Sequence, residues 1–195
     1  MIETQYTLST GEVIYIFDNV FTYSEVERIR DYVEHSPYRL GRISNTTLNS
    51  VDQNTFFQTD YVKSDIDRLK LFENDNFIKI FKDHLSDQTI QRSWVNVSTY
   101  LTDFRFHADS HTAGNKSLLY YVNARWDEDW GGETLFKNNN GDVEKAVEFK
   151  PNRMVIFNNN IGHRAAQVAL NADMYRFILV VQFKHKQMES GYKVL

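Results

Sequence analysis

His107, Asp109 and His163 are the residues whose types and spacing point most directly to chemistry. In FRFHADSH, positions 107 and 109 are two apart, so in a strand both side chains leave the same face and can close on one ion. A third ligand must come from elsewhere in the fold, and the run that follows NNNIG offers His163. Two neutral imidazoles and one carboxylate form the facial set expected of a non-haem iron(II) centre, which leaves about three coordination positions open. Zinc more often takes a closed four-ligand site or keeps one open position. A His-x-Asp pair alone is a weak signal, and a lone histidine such as His163 is commonly structural. Their neighbours raise the signal.

Arg176 lies in YRFILVVQF, where alternation puts Arg176, Ile178, Val180 and Gln182 on one face and Phe177, Leu179, Val181 and Phe183 on the other. Whichever face looks inward, the strand is largely buried, and a buried guanidinium needs an anionic partner. Without the triad, a structural ion pair or a snorkelling side chain is the stronger reading. With it, the planar fork suits the distal carboxylate of a dicarboxylate co-substrate. Upstream, KSLLYYVNARWDEDWGGETLF places Tyr121 and Asn123 on one strand face and Thr134 after a double glycine. The Tyr121 and Thr134 hydroxyls could serve the same carboxylate, or the segment is an ordinary β-core followed by a Gly-Gly turn.

Several elements must position these groups. Val13 to Phe17 reads as a strand, followed by an amphipathic helix in which Thr22 and Glu25 have capping-box spacing and Val26, Ile29, Tyr32 and Val33 recur until Pro37. The polar stretch from Tyr38 to Asn54 reads as a loop of functional length, and it and the acidic turn Trp126 to Trp130 are candidates for a substrate lid or, equally, plain surface connections. Ser64 to Leu85 reads as a second helical stretch, with ENDN at 73–76 as a possible break. From Gln91 to Phe183 about eight short strand-like runs follow one another, among them Phe104 to Asp109 and His163 to Val168, with turn residues between them. The predicted class is mainly β with supporting α-helices: a jelly roll with N-terminal helices packed on one sheet.

Composition narrows the alternatives. With 195 residues the chain is read as a single domain, 1–195, with helical support over about 22–85 and a β core over about 91–184. A net charge of -4 gives no sign of the basic surface that a standing nucleic-acid partner would need, and leaves room only for a local basic groove. No run is long and apolar enough to span a membrane, and MIETQYTLSTGE lacks the pattern of a signal peptide, so a cytoplasmic location is expected. Cysteine is absent, which removes disulfides, thiolate catalysis and Cys-ligated zinc. The Asn-x-Ser/Thr triplets at Asn45, Asn96 and Asn115 are read as chance rather than glycosylation sites.

Four segments in order resemble the 2-oxoglutarate/iron(II) dioxygenase superfamily, in its prolyl 4-hydroxylase-like branch. They are Tyr100 followed by His107-Ala108-Asp109, the strand ending Tyr121-Val122-Asn123 with WDEDWGGETLF, His163 after an Asn-rich loop, and Arg176 on the last core strand. The resemblance spans about residues 94 to 184 and, more faintly, FDNVFTYSEVERIRDYV. It implies a double-stranded β-helix, requirements for Fe(2+), 2-oxoglutarate and dioxygen, and hydroxylation of an unactivated C–H bond, with a prolyl residue as first substrate. His107, Asp109 and His163 would be the ligands and Arg176 the partner of the C5 carboxylate, helped by Tyr121, with Tyr100 lining the co-substrate pocket. Collagen-type members commonly carry Lys where Arg176 stands, and alternation turns Arg164 away from the metal. Alternatives are a hydroxylase of a free amino acid or other small metabolite, and a non-catalytic cupin-like metal- or sugar-binding jelly roll. The partner is a peptide or a small molecule, and His111 is read as solvent-exposed.

Overall fold

The computed structural model describes residues 1–40 and 56–186. Eleven strands among these residues form two sheets. The larger runs β1 (Ile2–Thr7), β2 (Val13–Asp18), β9 (Arg153–Asn158), β6 (Lys116–Tyr121), β11 (Arg176–His185), β5 (Gln88–Ser98), β4 (Phe57–Tyr61), β3 (Arg39–Leu40). The smaller runs β10 (His163–Ala165), β7 (Thr134–Lys137), β8 (Val143–Val147). All their pairings are antiparallel. The result is the two-sheet β-helix expected, with helices on one side of the larger sheet.

Period-2 alternation of apolar side chains builds this arrangement, because both faces of the larger sheet are covered. Leu118, Tyr120, Leu179, Val181 and Phe183 pack with Val26, Ile29, Val33, Ile66, Leu69, Phe77 and Ile80 of the helices. Their strand neighbours Leu119, Tyr121, Ile178 and Val180 turn the other way and meet Phe136 and Val147 of the smaller sheet. One run of sequence thus fills two cores.

Helix α1 (Tyr23–Glu34) starts where the Thr22/Glu25 spacing predicts, and the Glu25 carboxylate accepts from the Thr22 amide at 2.8 Å. The second helical stretch is divided as the ENDN signal suggests. Helix α2 (Lys63–Leu69) ends at Lys70 with φ 54°, and α3 (Asp75–His84) begins at Asn74, whose side chain accepts from the Phe77 amide at 3.0 Å. No described helix is long and apolar enough to cross a membrane.

Two expectations change. Phe104 to Asp109 is not a regular strand: it pairs with the smaller sheet through one bridge, His107 to His163. A single bridged pair suffices to set His107 beside His163 and needs no longer ladder. Strands β1, β3 and β4 lacked a sequence signal because they lie toward the edges, where half or more of their residues meet solvent and alternation is weak. Of the Tyr38 to Asn54 loop, residues 41–54 lie outside the described residues, and Asn45 with them.

Candidate metal centre and co-substrate pocket

The bridge between His107 and His163 brings two of the three candidate ligands together. The His107 amide donates to the His163 carbonyl at 3.0 Å, and the His163 amide returns a bond at 2.9 Å. Residues paired directly opposite in an antiparallel bridge project side chains to the same face, and here the two rings lie 4.6 Å apart. Asp109, two positions on, joins them from the same side. Its Oδ1 is 3.6 Å from His107 Nε2 and its Oδ2 is 3.8 Å from His163 Nε2. All three ligand atoms lie within 4.8 Å of one another. Atoms each about 2.1 Å from a shared ion lie roughly 3 to 4 Å apart, so the cluster has the right size.

The imidazoles are oriented for coordination by the backbone. His107 Nδ1 lies 3.0 Å from the Arg105 carbonyl, and His163 Nδ1 lies 3.0 Å from the Ile161 carbonyl. A carbonyl only accepts, so each Nδ1 carries the proton and each Nε2 offers its lone pair to the cluster. Burial holds the His163 imidazole below its ordinary pKa against the opposing charge of Asp109, which keeps it neutral, as a ligand must be. The side chains of His163 and Asp109 are 8% and 7% exposed, whereas that of His107 is 38% exposed and marks the open side.

A pocket runs from these ligands along the inner face of the larger sheet. It is lined by Trp94, Asn96, Phe104, Leu119, Thr134, Ala165, Arg176, Ile178 and Val180 together with the three ligands. Arg176 is buried in it, 2% exposed, and has no ion-pair partner among the described residues. Its Nε donates to the Gly132 carbonyl at 2.7 Å, while its Nη2 has no partner. Burial pulls its pKa down to about 10, which leaves the guanidinium charged at neutral pH. A buried, charged, incompletely bonded fork fits a carboxylate that none of the described residues places within ion-pair distance.

The double glycine makes room for it. Gly132 has φ +78°, and a Cβ there would stand 2.9 Å from Arg176 Cδ and 3.0 Å from Nε. Thr134 lines the pocket, and its hydroxyl pairs at 2.8 Å with that of Tyr121, which lies behind it, fully buried and stacked on Phe149. Burial raises the Tyr121 pKa, so the phenol keeps its proton.

Other candidates lie elsewhere. Tyr100 is 42% exposed and lines a separate cleft with Leu101, Leu170 and Tyr175. Asn123 clips β11 in place: it donates to the Tyr175 carbonyl at 2.8 Å and accepts from the Phe177 amide at 2.9 Å. Arg164 turns away from the ligands onto the Phe106 ring. Trp126 packs on Trp130 and Phe149 and borders another cleft. His111 is exposed. Asn96 and Asn115, read above only as triplets, are a pocket-lining residue and a buried one respectively. Asn96 and Ser117 carry no signal in the sequence, since alternation gives the face of a polar strand residue but not the partners it meets there.

A two-sheet β-helix with a His/Asp/His cluster and an unpaired arginine in one pocket defines a metal-dependent jelly-roll site. Residues 94–184, just under half of the chain, match the model of the 2OG-Fe(II) oxygenase superfamily. A search of curated proteins finds no match. Among solved structures, the chain resembles an oxidoreductase of the 2OG-Fe(II) oxygenase family from Burkholderia pseudomallei, with TM-score 0.66 and 16% identity over 92% of this chain and 87% of that one. It also resembles a prolyl hydroxylase from Trichoplax adhaerens in complex with a peptide fragment of the hypoxia inducible factor oxygen degradation domain (TM-score 0.65, 16% identity, 89% and 84% covered). A third is HygX from Streptomyces hygroscopicus with nickel, 2-oxoglutarate and hygromycin B bound (TM-score 0.62, 11% identity, 87% and 82% covered). The superfamily uses iron(II), 2-oxoglutarate and dioxygen.

Proposed function

We propose that this chain is a 2-oxoglutarate- and iron(II)-dependent dioxygenase that hydroxylates an unactivated C–H bond, with a prolyl residue in a peptide or protein as first candidate substrate. The observation that carries the reading is the Arg176 guanidinium, buried with one nitrogen unpartnered, in the same pocket as His107, Asp109 and His163. When bound, iron with 2-oxoglutarate and dioxygen supplies the oxidising power, leaving succinate and carbon dioxide as by-products.

The chain's own residues hold and orient. His107, Asp109 and His163 offer three ligands from one side, and their backbone bonds keep both Nε2 atoms on the metal position. Arg176 receives the C5 carboxylate at the far end, with the Tyr121–Thr134 hydroxyl pair beside it. Trp94, Phe104, Leu119, Ile178 and Val180 give the pocket apolar walls that exclude water. The single domain, 1–195, is part of this reading.

Support for a peptide substrate is the likeness to the Trichoplax enzyme, which was solved with one. A small-molecule substrate has comparable support, because HygX, solved with hygromycin B, resembles the chain almost as well. The test is turnover with iron(II) and 2-oxoglutarate against proline-containing peptides and small molecules, scored by succinate release and by gain of one oxygen in the substrate. A non-catalytic binding jelly roll would release no succinate under any condition.

A further inference from the structure

Asp109 is held by a buried chain of side chains. Ser117 lies on β6 facing the pocket side, 0% exposed, and its hydroxyl donates to Asp109 Oδ2 at 2.5 Å. The same hydroxyl lies 2.7 Å from the side-chain amide of Asn159, which follows β9 and is 1% exposed. A hydroxyl has one proton, and a carboxylate can only accept, so the proton goes to Asp109. The serine oxygen must then accept from Asn159, which requires the amide nitrogen, rather than its oxygen, to face Ser117. The two ends of an asparagine amide have the same shape, and the bonding network decides which end points where.

Asn159 is itself clamped on both sides. Its amide donates to the Asn115 carbonyl at 3.0 Å, and its carbonyl accepts from the amide of Ser110, the residue after Asp109, at 3.2 Å. The loop after β9 therefore grips the ligand segment by its backbone while its side chain reaches the ligand carboxylate through Ser117. We infer that Asn159 and Ser117 are positioning residues for the metal, forming a relay that pins Asp109 Oδ2 and presents Oδ1 to the ion. This rests on the metal reading above. The contact is charge-assisted and dry, so it fixes the carboxylate's rotation before any ion arrives.

Cobalt(II) titration of the purified full chain tests the relay, with the dissociation constant and the visible absorption of the bound ion as readouts and the thermal melt of the apo protein as control. Ser117→Ala is expected to weaken cobalt binding about 10- to 100-fold and to alter the absorption bands. Ser117→Thr, which keeps the hydroxyl, restores both, and Asn159→Ala gives a smaller loss. Wild-type affinity and spectrum in Ser117→Ala would overturn the relay and leave the metal reading standing. Should Ser117→Ala fail to fold, unchanged affinity in Asn159→Ala overturns it equally. If wild-type protein binds no more cobalt than His107→Ala, the metal reading falls, and the relay with it.

Discussion

The two faces of the larger sheet are made of the same strands and differ in what they leave unsatisfied. On the helix side, Leu118, Val95, Val97, Leu179 and Val181 close against apolar helix residues, and Tyr120 supplies the one unpartnered hydroxyl in that core. On the other side the same strands carry Asn96, Ser98 and Arg176, each with a buried polar atom that finds no partner among the described residues. Orphaned buried polar groups cost free energy, on the order of 1–3 kcal/mol each, and two of these three, Asn96 and Arg176, line the pocket where a bound ligand would partner them. One face is built for stability and the other is built incomplete.

That contrast can be broken most severely at the ligands. His107→Ala should abolish iron binding and turnover, measured by metal analysis and succinate release; full activity in this variant would remove the triad from the mechanism. Next, Arg176→Ala should weaken 2-oxoglutarate binding by about 2–4 kcal/mol, roughly 30- to 1,000-fold, because it deletes one partner of a buried charged pair. Its apo melting temperature should hold or rise, since an uncompensated buried charge is lost. A fall of many degrees would mean that Arg176 serves the core instead.

Leu179→Ala probes the opposite face. A cavity against the helices should cost about 2–5 kcal/mol of stability in denaturant unfolding, with the KM for 2-oxoglutarate unchanged. A changed KM would show the two faces coupled. Gly132→Ala should be milder in stability, about 1–2 kcal/mol for a side chain forced into left-handed backbone. Because its Cβ would press on Arg176, the KM for 2-oxoglutarate should rise several-fold while kcat changes less. The smallest effect belongs to Tyr100→Ala, which should leave that KM within about twofold, as expected for a side chain in the neighbouring cleft with no charged contact to the pocket. A larger rise would bring Tyr100 back to the co-substrate, where the family resemblance alone places it.

Much of the fold was legible because apolar periodicity is strong where burial is two-sided. Helix α1 announced itself through Thr22, Glu25 and four apolar positions, and β11 through eight residues, Arg176 to Phe183, with two buried faces. The edge strands β1, β3 and β4 were silent for the converse reason: strands with much of their length in solvent need no pattern. The Phe104 to Asp109 run looked like a strand because it alternates, yet it needs just the one bridge that sets His107 beside His163.

The sequence by itself determined which residue types were available to a metal and a co-substrate: no cysteine, one His-x-Asp pair, one arginine at the head of a buried strand, and a double glycine. Local alternation also put His107 and Asp109 on one side and turned Arg164 away from it. Only the tertiary structure decided which distant residues meet. His163 joins His107 and Asp109 through a cross-strand bridge, Gly132 yields space to a guanidinium from another strand, and Ser117 reaches Asp109 while Asn123 is spent on tying β11. The physical reason is that strand periodicity states which way a side chain points along its own chain, whereas its partners are chosen by sheet order and register.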